Sequence, residues 1–214
     1  MKFIFIAGAS ASGKSTLSAQ LSLELLKWGM SNAILKLDDY SIEAPDEVTD
    51  INHYRQVTNF DRLEMYDLAL IEQHLIQLAD RQPIEKPHFN FATNKRVGSE
   101  IITPQDVMII EGLFALVLAK NLPEHLDKLS VFIGPSTYSR LIAMRTTRDE
   151  QERGFNPRQT IQKERQFVGP CFFEVIAKSK TGVDIDITND PDELNSAITE
   201  GVEQIMQMFK TSSK

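Results

Sequence analysis

The chain has 214 residues, 42% of them hydrophobic, and its 23 basic and 30 acidic side chains leave a net charge of −7 and a pI near 5.2. That composition fills one sizeable core, no Pro/Ser/Gly-rich linker divides it, and the acidic balance excludes a nucleic-acid partner, whose phosphates need a basic face. The single cysteine, Cys171, allows no intramolecular disulfide and reads as a small core residue, residues 1–10 leave no room for a cleavable signal, and no apolar run approaches the roughly 18 residues that span a bilayer. One cytoplasmic domain over residues 1–214, without a membrane partner, is therefore expected.

Phe3-Ile4-Phe5-Ile6-Ala7 has the unbroken apolar pattern of a strand buried on both faces, and it leads into Gly8-Ala9-Ser10-Ala11-Ser12-Gly13-Lys14-Ser15-Thr16. This is a phosphate-binding loop placed where a strand turns into a helix. Its backbone N–H groups must curl around phosphate oxygens, and a Cβ at Gly8 or Gly13 would obstruct the curl. Lys14 would set an ammonium on the β- and γ-phosphates, Ser15 would give its hydroxyl to Mg²⁺, and the following helix would aim its N-terminal dipole at the anion. A nucleoside triphosphate is implied. Leu17, Leu21, Leu25 and Trp28 then recur on one helical face, suited to pack on a sheet, until Gly29 stops the helix.

Ala33–Leu37 reads as a second strand ending at Asp38-Asp39, and Asp61–Ala79 as a helix with Leu68, Ile71, Leu75 and Leu78 inward. Ile84–Phe91 and Glu100–Thr103, separated by Thr93-Asn94-Lys95-Arg96-Val97-Gly98, form a predicted hairpin outside the alternation. Val107–Ile110 is a buried strand ending at Glu111-Gly112, and Val131–Ile133 and Val183–Ile187 supply two more. Helices are expected over 136–150 and 157–178, and after Pro191 with Leu194, Ile198, Val202, Ile205 and Phe209 on one face. The alternation predicts an α/β fold, a parallel sheet covered by helices on both faces, with the hairpin added. Ligands belong at the carboxyl ends of the strands, where the loop, Asp38-Asp39 and Glu111-Gly112 all fall.

A carboxylate at the end of the second strand suits a proton acceptor opposite the loop, although an Asp there also closes its own turn. Asp61-Arg62-Leu63-Glu64 has the spacing of a capping box. Glu111, ending a buried strand beside the loop, would hold Mg²⁺ directly or through water. Arg145–Arg153 carries three arginines and three acids, and Arg145/Asp149 and Asp149/Arg153 are spaced for ion pairs on a solvated helix. The four histidines have no metal-ligand spacing.

Six segments in order, Gly8–Thr16, Leu37-Asp38-Asp39-Tyr40, Asn59-Phe60-Asp61, Pro87-His88-Phe89-Asn90-Phe91, Ile110-Glu111-Gly112 and Arg148–Gly154, resemble the uridine kinase branch of the uridine kinase and phosphoribulokinase group of P-loop kinases. The resemblance runs over residues 3–190 and implies the P-loop NTPase-type three-layer fold with a short lid at 145–157. It implies ATP as donor with Mg²⁺, a nucleoside 5′-hydroxyl (uridine or cytidine) as acceptor, and assembly into dimers or tetramers. By resemblance Asp38, favoured over Asp39 by strand register, takes the acceptor proton. Tyr40 walls the acceptor pocket, Asp61 meets the ribose hydroxyls as well as fitting a helix cap, Arg148 and Arg153 neutralise phosphates, and Arg145 serves the acceptor site.

The family presents a Tyr and a His to the pyrimidine edge where this chain has Phe89 and Asn94, with Phe91 completing an aromatic wall. Phe155 stands for a third lid arginine and Lys163 for a glutamine. Phosphoryl transfer is thus expected intact, and a pantothenate- or sugar-like acceptor is the second reading. A guanine-nucleotide switch would need Asn-Lys-x-Asp, whereas Asn94-Lys95 continues as Arg96-Val97. A non-catalytic nucleotide-binding regulator is the remaining alternative, and Lys14, Ser15, Asp38 and Glu111 together argue against it.

Overall fold

A computed structural model describes residues 1–211, with the side chains of all but Arg153, Glu193, Leu194, Asn195, Lys210 and Thr211. The chain runs β1 (Lys2–Ala7), α1 (Lys14–Lys27), β2 (Asn32–Lys36), α2 (Ile51–Val57), α3 (Leu68–Ala79), β3 (Ile84–Asn90), β4 (Lys95–Ile102), β5 (Val107–Glu111), α4 (Ala115–Asn121), β6 (Lys128–Gly134), α5 (Tyr138–Arg153), α6 (Pro157–Lys163), α7 (Gly169–Cys171), α8 (Ala177–Ser179), β7 (Ile185–Thr188) and α9 (Leu194–Thr211). Five strands pair in parallel in the order β2-β5-β1-β6-β7, and β3 and β4 form a separate antiparallel pair.

Side chains alternate along a strand, so β1 feeds two cores at once. Phe3 and Phe5 pack with Met108, Ile110 and the inner faces of α3 and α4, while Ile4 and Ile6 pack with Ile109, with Leu17, Leu21 and Leu25 of α1, and with Ile198 and Ile205 of α9. Each fully buried Leu or Ile contributes about 1.5–3 kcal/mol relative to an exposed one. The expected layered α/β architecture is what forms.

Several elements differ from expectation for identifiable reasons. Trp28 leaves the α1 stripe because it is the C-cap residue before Gly29 (φ +74), and it is 42% exposed. The helix expected from Asp61 begins at Leu68, where Asp67 accepts from the Leu70 N–H at 3.2 Å. Asp61-Arg62-Leu63-Glu64 is therefore not a capping box. A bridge between Ser41 and Tyr66 holds Tyr66 extended (φ −119, ψ 145), which no helix through that point accommodates. The hairpin loop is shorter than expected because Lys95–Gly98 join β4, leaving a turn that ends on Asn94 at φ +50. Residues 157–179 form α6, α7 and α8 joined by π turns at Glu164–Val168 and Phe172–Ile176. Helices α2 and α4, at 7 residues each, are too short to show a clear period and were not anticipated. Leu194, placed on the α9 stripe by its spacing, has its side chain outside the described residues.

Candidate active site

Parallel pairing sets the site. β1 ends beside β5 with Ile6 opposite Glu111, so the loop leaving β1 meets the carboxylate ending β5. A Cβ on Gly8 would lie 2.0 Å from the Ile133 carbonyl oxygen of β6, and Gly13 turns at φ +101 with the Asn189 amide where its Cβ would point. Asn189, fully buried at the end of β7, donates from Nδ2 to the Ser12 carbonyl at 2.8 Å and braces the loop from beneath. Nothing in the sequence pattern singled Asn189 out. Gly8–Gly13 form the turn, and Lys14, Ser15 and Thr16 open α1.

Lys14 donates to the Ala9 carbonyl at 2.9 Å. Burial pushes its pKa down, opposed by the negative charges of Glu111 and Asp38. Ser15 Oγ donates to Glu111 Oε1 at 2.8 Å. Glu111 is 5% exposed, and burial raises its pKa against the opposing effects of Lys14 and the Ser15 hydroxyl. A hydroxyl and one buried carboxylate oxygen at the loop exit are hard donors of the kind Mg²⁺ takes when phosphates and waters complete its shell, so the residues fit that ion. No cluster of three or more His, Cys, Asp or Glu suited to an all-protein metal cage occurs among the described residues.

After β2, Leu37–Tyr40 form a 3₁₀ turn. At three residues per turn Leu37 and Tyr40 fall on one side, and both enter the core. This corrects the expected role of Tyr40: it is 0% exposed, its hydroxyl lies 3.0 Å from His74 Nδ1, and it does not reach the cavity. Tyr66, held extended by its bridge to Ser41, takes that wall and donates to Asp38 Oδ1 at 3.3 Å. Burial, then the charges of Asp38 and Asp61, raise the Tyr66 pKa. The paired aspartates diverge. Asp38 lines the cavity, whereas Asp39 turns to Lys86 Nζ at 2.6 Å and to the Phe89 N–H at 3.4 Å.

The cavity, about 520 Å³, is lined by Ser10 and Lys14 from the loop and the start of α1, by Asp38 and Asp61, and by Phe89, Phe91 and Asn94 from the hairpin. Phe89 and Phe91 meet edge to face at 5.2 Å, and Asn94 is 3% exposed. Arg145 also lines it but does not pair with Asp149 as its spacing suggested. Its Nε lies 3.1 Å from Glu164 Oε2 and its Nη1 3.9 Å from Asp61 Oδ2, because α6 and the following π turn bring Glu164 against α5. Tyr138 donates to the other Glu164 oxygen. Arg148 donates to Ser10 Oγ at 2.7 Å and is braced by Asp149 Oδ1 at 2.5 Å, so α5 is bonded to the loop. The side chain of Arg153 lies outside the described residues. Lys163 donates to the Arg55 carbonyl and sits 5.1 Å over the Phe155 ring, both residues lining the cavity. Sequence reasoning missed Tyr66 and Arg55 as lining residues, and the motif Asn59-Phe60-Asp61 was the one available signal for Phe60.

A sequence model of the Phosphoribulokinase / Uridine kinase family matches residues 3–196. The chain is similar to a uridine kinase of Proteus mirabilis (strain HI4320), 34% identical over 182 residues covering 84% of this chain and 83% of the relative. A uridine kinase of Alkaliphilus metalliredigens (strain QYMF) is 32% identical over 195 residues, 89% and 88% of the two chains. Among solved structures, phosphoribulokinase from Rhodobacter spheroides superposes with a TM-score of 0.62 at 12% identity, over 87% of this chain and 69% of that one. D-glycerate 3-kinase from Cryptococcus neoformans var. grubii gives 0.59 at 17% identity, over 87% and 85%. These structural likenesses concern the fold. No helix among the described residues is long and apolar enough to cross a membrane.

Proposed function

We propose, from the premise that the chain belongs to the phosphoribulokinase/uridine kinase family and is a P-loop phosphotransferase acting on a hydroxyl group, that it phosphorylates the 5′-hydroxyl of a nucleoside with ATP, uridine and cytidine first. The observation that carries this reading is one cavity with Lys14 and Asp38 near the phosphate loop and an aromatic wall, Phe89 and Phe91, on the hairpin. The names of the related uridine kinases support the nucleoside.

In this reading residues 8–16 cradle the triphosphate and Lys14 and Arg148 offset its charge; the resemblance of Arg148–Gly154 to the family's lid assigns Arg153 to the phosphates as well. Ser15 and Glu111 would hold Mg²⁺, which supplies charge neutralisation on the phosphate oxygens when bound. Asp38 accepts the proton of the attacking hydroxyl, and the Tyr66 hydroxyl on its Oδ1 orients it. Asp61, near Arg145, faces the ribose hydroxyls, and Phe89, Phe91 and Asn94 enclose the base. We further propose that the enzyme is cytoplasmic and assembles into dimers or tetramers; sedimentation at micromolar concentration tests the assembly, a monomer overturning it.

A second reading, another small hydroxylated acceptor of pantothenate- or sugar-like chemistry, is favoured by Phe89, which offers no phenolic hydroxyl to a pyrimidine edge. Sites that hydrogen-bond a substrate edge discriminate by about 10⁴–10⁵, and purely aromatic slots far less. An acceptor screen with ATP and Mg²⁺, reading ADP formation, tests both. Uridine or cytidine is expected to turn over with a high KM, lowered by Phe89→Tyr combined with Asn94→His. Turnover on a non-nucleoside alone would promote the second reading, and tight selective use of uridine by the parent would refute a relaxed base site.

A further inference from the structure

Lys86 is 3% exposed, although its charged neighbours in the hairpin, Glu85 and Glu100, face solvent. An ammonium is tolerated there only with its hydrogen bonds made. Its Nζ lies 2.6 Å from Asp39 Oδ2, 3.1 Å from Glu100 Oε1 and 3.3 Å from the Pro87 carbonyl, which matches its three donors. The register of β3 against β4 shifts between Pro87 and Phe89, a bulge of the kind that re-aims a side chain, and Phe89 lines the cavity. Asp39 spans that bulge, because its Oδ1 accepts from the Phe89 N–H at 3.4 Å while its Oδ2 holds Lys86. The residue before it is Asp38. Of the other ties between the hairpin and the segment after β2, Lys95 to Asp46 and the Arg96 N–H to Glu43 lie at the surface, where ion pairs contribute little; the Ala44 N–H donates to the Asn94 carbonyl at 2.9 Å and Arg96 Nη2 to the Tyr40 carbonyl at 3.5 Å, which hold the turn end of the hairpin and not the bulge at Phe89.

From this geometry we infer that Lys86, acting through Asp39, is a positioning residue that fixes the spacing between Asp38 and the acceptor wall at Phe89. Neither Lys86 nor Asp39 lines the cavity, so the effect is exerted through placement and not through substrate contact. A displacement of about 1 Å of a reacting group costs up to about 100-fold in rate, which sets the expected size. This inference rests on the roles proposed above for Asp38 and the hairpin.

The test compares Lys86→Met, the double variant Asp39→Asn/Lys86→Met, and Asp38→Asn with the parent, using uridine and the fastest acceptor of the screen, with ATP and Mg²⁺. Lys86→Met is expected to lower kcat/KM for the acceptor by about 10–100-fold, to leave the KM for ATP unchanged, and to lower Tm by stranding the Asp39 carboxylate. The double variant removes both charges; its Tm is expected to return toward the parent's while acceptor kcat/KM stays low. Recovery of activity together with Tm would make the pair merely structural and overturn the inference, as would a parent-like kcat/KM in both variants beside an inactive Asp38→Asn. Full turnover by Asp38→Asn would instead mark failure of the underlying reading of the cavity, and of this inference with it.

Discussion

Two adjacent carboxylates with opposite surroundings make the sharpest case for single residues. Among the described residues the Asp38 carboxylate accepts from the Tyr66 hydroxyl alone and lines the cavity, while both oxygens of Asp39 are occupied by Lys86 and the Phe89 amide. Asp38→Asn is expected to leave ATP affinity intact and to cut kcat by about 10²–10⁴, the contribution of a positioned base. Asp39→Asn is expected to cost less, and steady-state kinetics showing the reverse order would exchange the two roles. Glu111 adds a pH dependence. Its folded pKa is raised above its usual value of 4.5 by burial, so the folded state binds that proton more tightly than the unfolded chain does. Stability from this group is present at low pH and is lost as pH rises from 4.5 through the raised value. Glu111→Gln escapes the loss. Thermal melts from pH 4 to 8 are therefore expected to show its Tm gaining on the parent's as pH rises, alongside a fall in Mg²⁺-dependent turnover.

Among the elements, the turn between β1 and α1 is the most constrained by close approach. At Gly8 the obstructing atom is a β6 backbone carbonyl, which cannot rotate away, so Gly8→Ala must spread β1 from β6. A loss of about 1–3 kcal/mol in denaturant unfolding is expected, together with lost nucleotide binding. Gly29→Ala is the control: its φ is +74 but nothing lies within 4 Å, so it is expected to cost about 1 kcal/mol of backbone strain and leave nucleotide binding unchanged. Equal effects of the two variants on binding would show that strain and not the approach of β6 governs the loop. The hairpin behaves as a second unit, because its contacts with the 3₁₀ turn at Leu37–Tyr40 fasten the acceptor wall to the carboxylate that the turn carries.

At the scale of the molecule, β1 shares its residues between the two cores, so neither layer of helices can detach without exposing the other side of the sheet. We propose on that basis that residues 1–214 are one domain, with a single coincident unfolding transition by circular dichroism and fluorescence; two separated transitions would divide it. A ligand that binds only the folded state stabilises it by about 2.7 kcal/mol at a hundredfold excess over Kd, or roughly 5–10 °C for a chain of this size. ATP with Mg²⁺ is expected to raise Tm by that amount, and Lys14→Ala to lose most of the shift together with turnover. An undiminished shift in Lys14→Ala would remove its ammonium from the triphosphate site.

The sequence by itself determined the features that local physics encodes. Unbroken apolar runs marked β1 and β5, alternation with amphipathic stretches marked the layered sheet, and two glycines before Lys14 marked a turn that no other side chain fits. The carboxyl ends of strands then placed the loop, Asp38 and Glu111 together, because parallel pairing leaves those ends on one edge. Strand register under the family resemblance already favoured Asp38 over Asp39, and Asp38 is the one that lines the cavity. Tertiary structure alone decided that Tyr66 and not Tyr40 stands at its wall, and that Arg145 pairs with Glu164. It also decided that Asn189 braces the loop. The physical reason is distance along the chain. Lys86 and Asp39 are 47 residues apart, Ser15 and Glu111 96, and Asn189 and Ser12 177, and the direction of a side chain is set by such partners, whereas period, capping and turn chemistry are set by neighbours a few residues away.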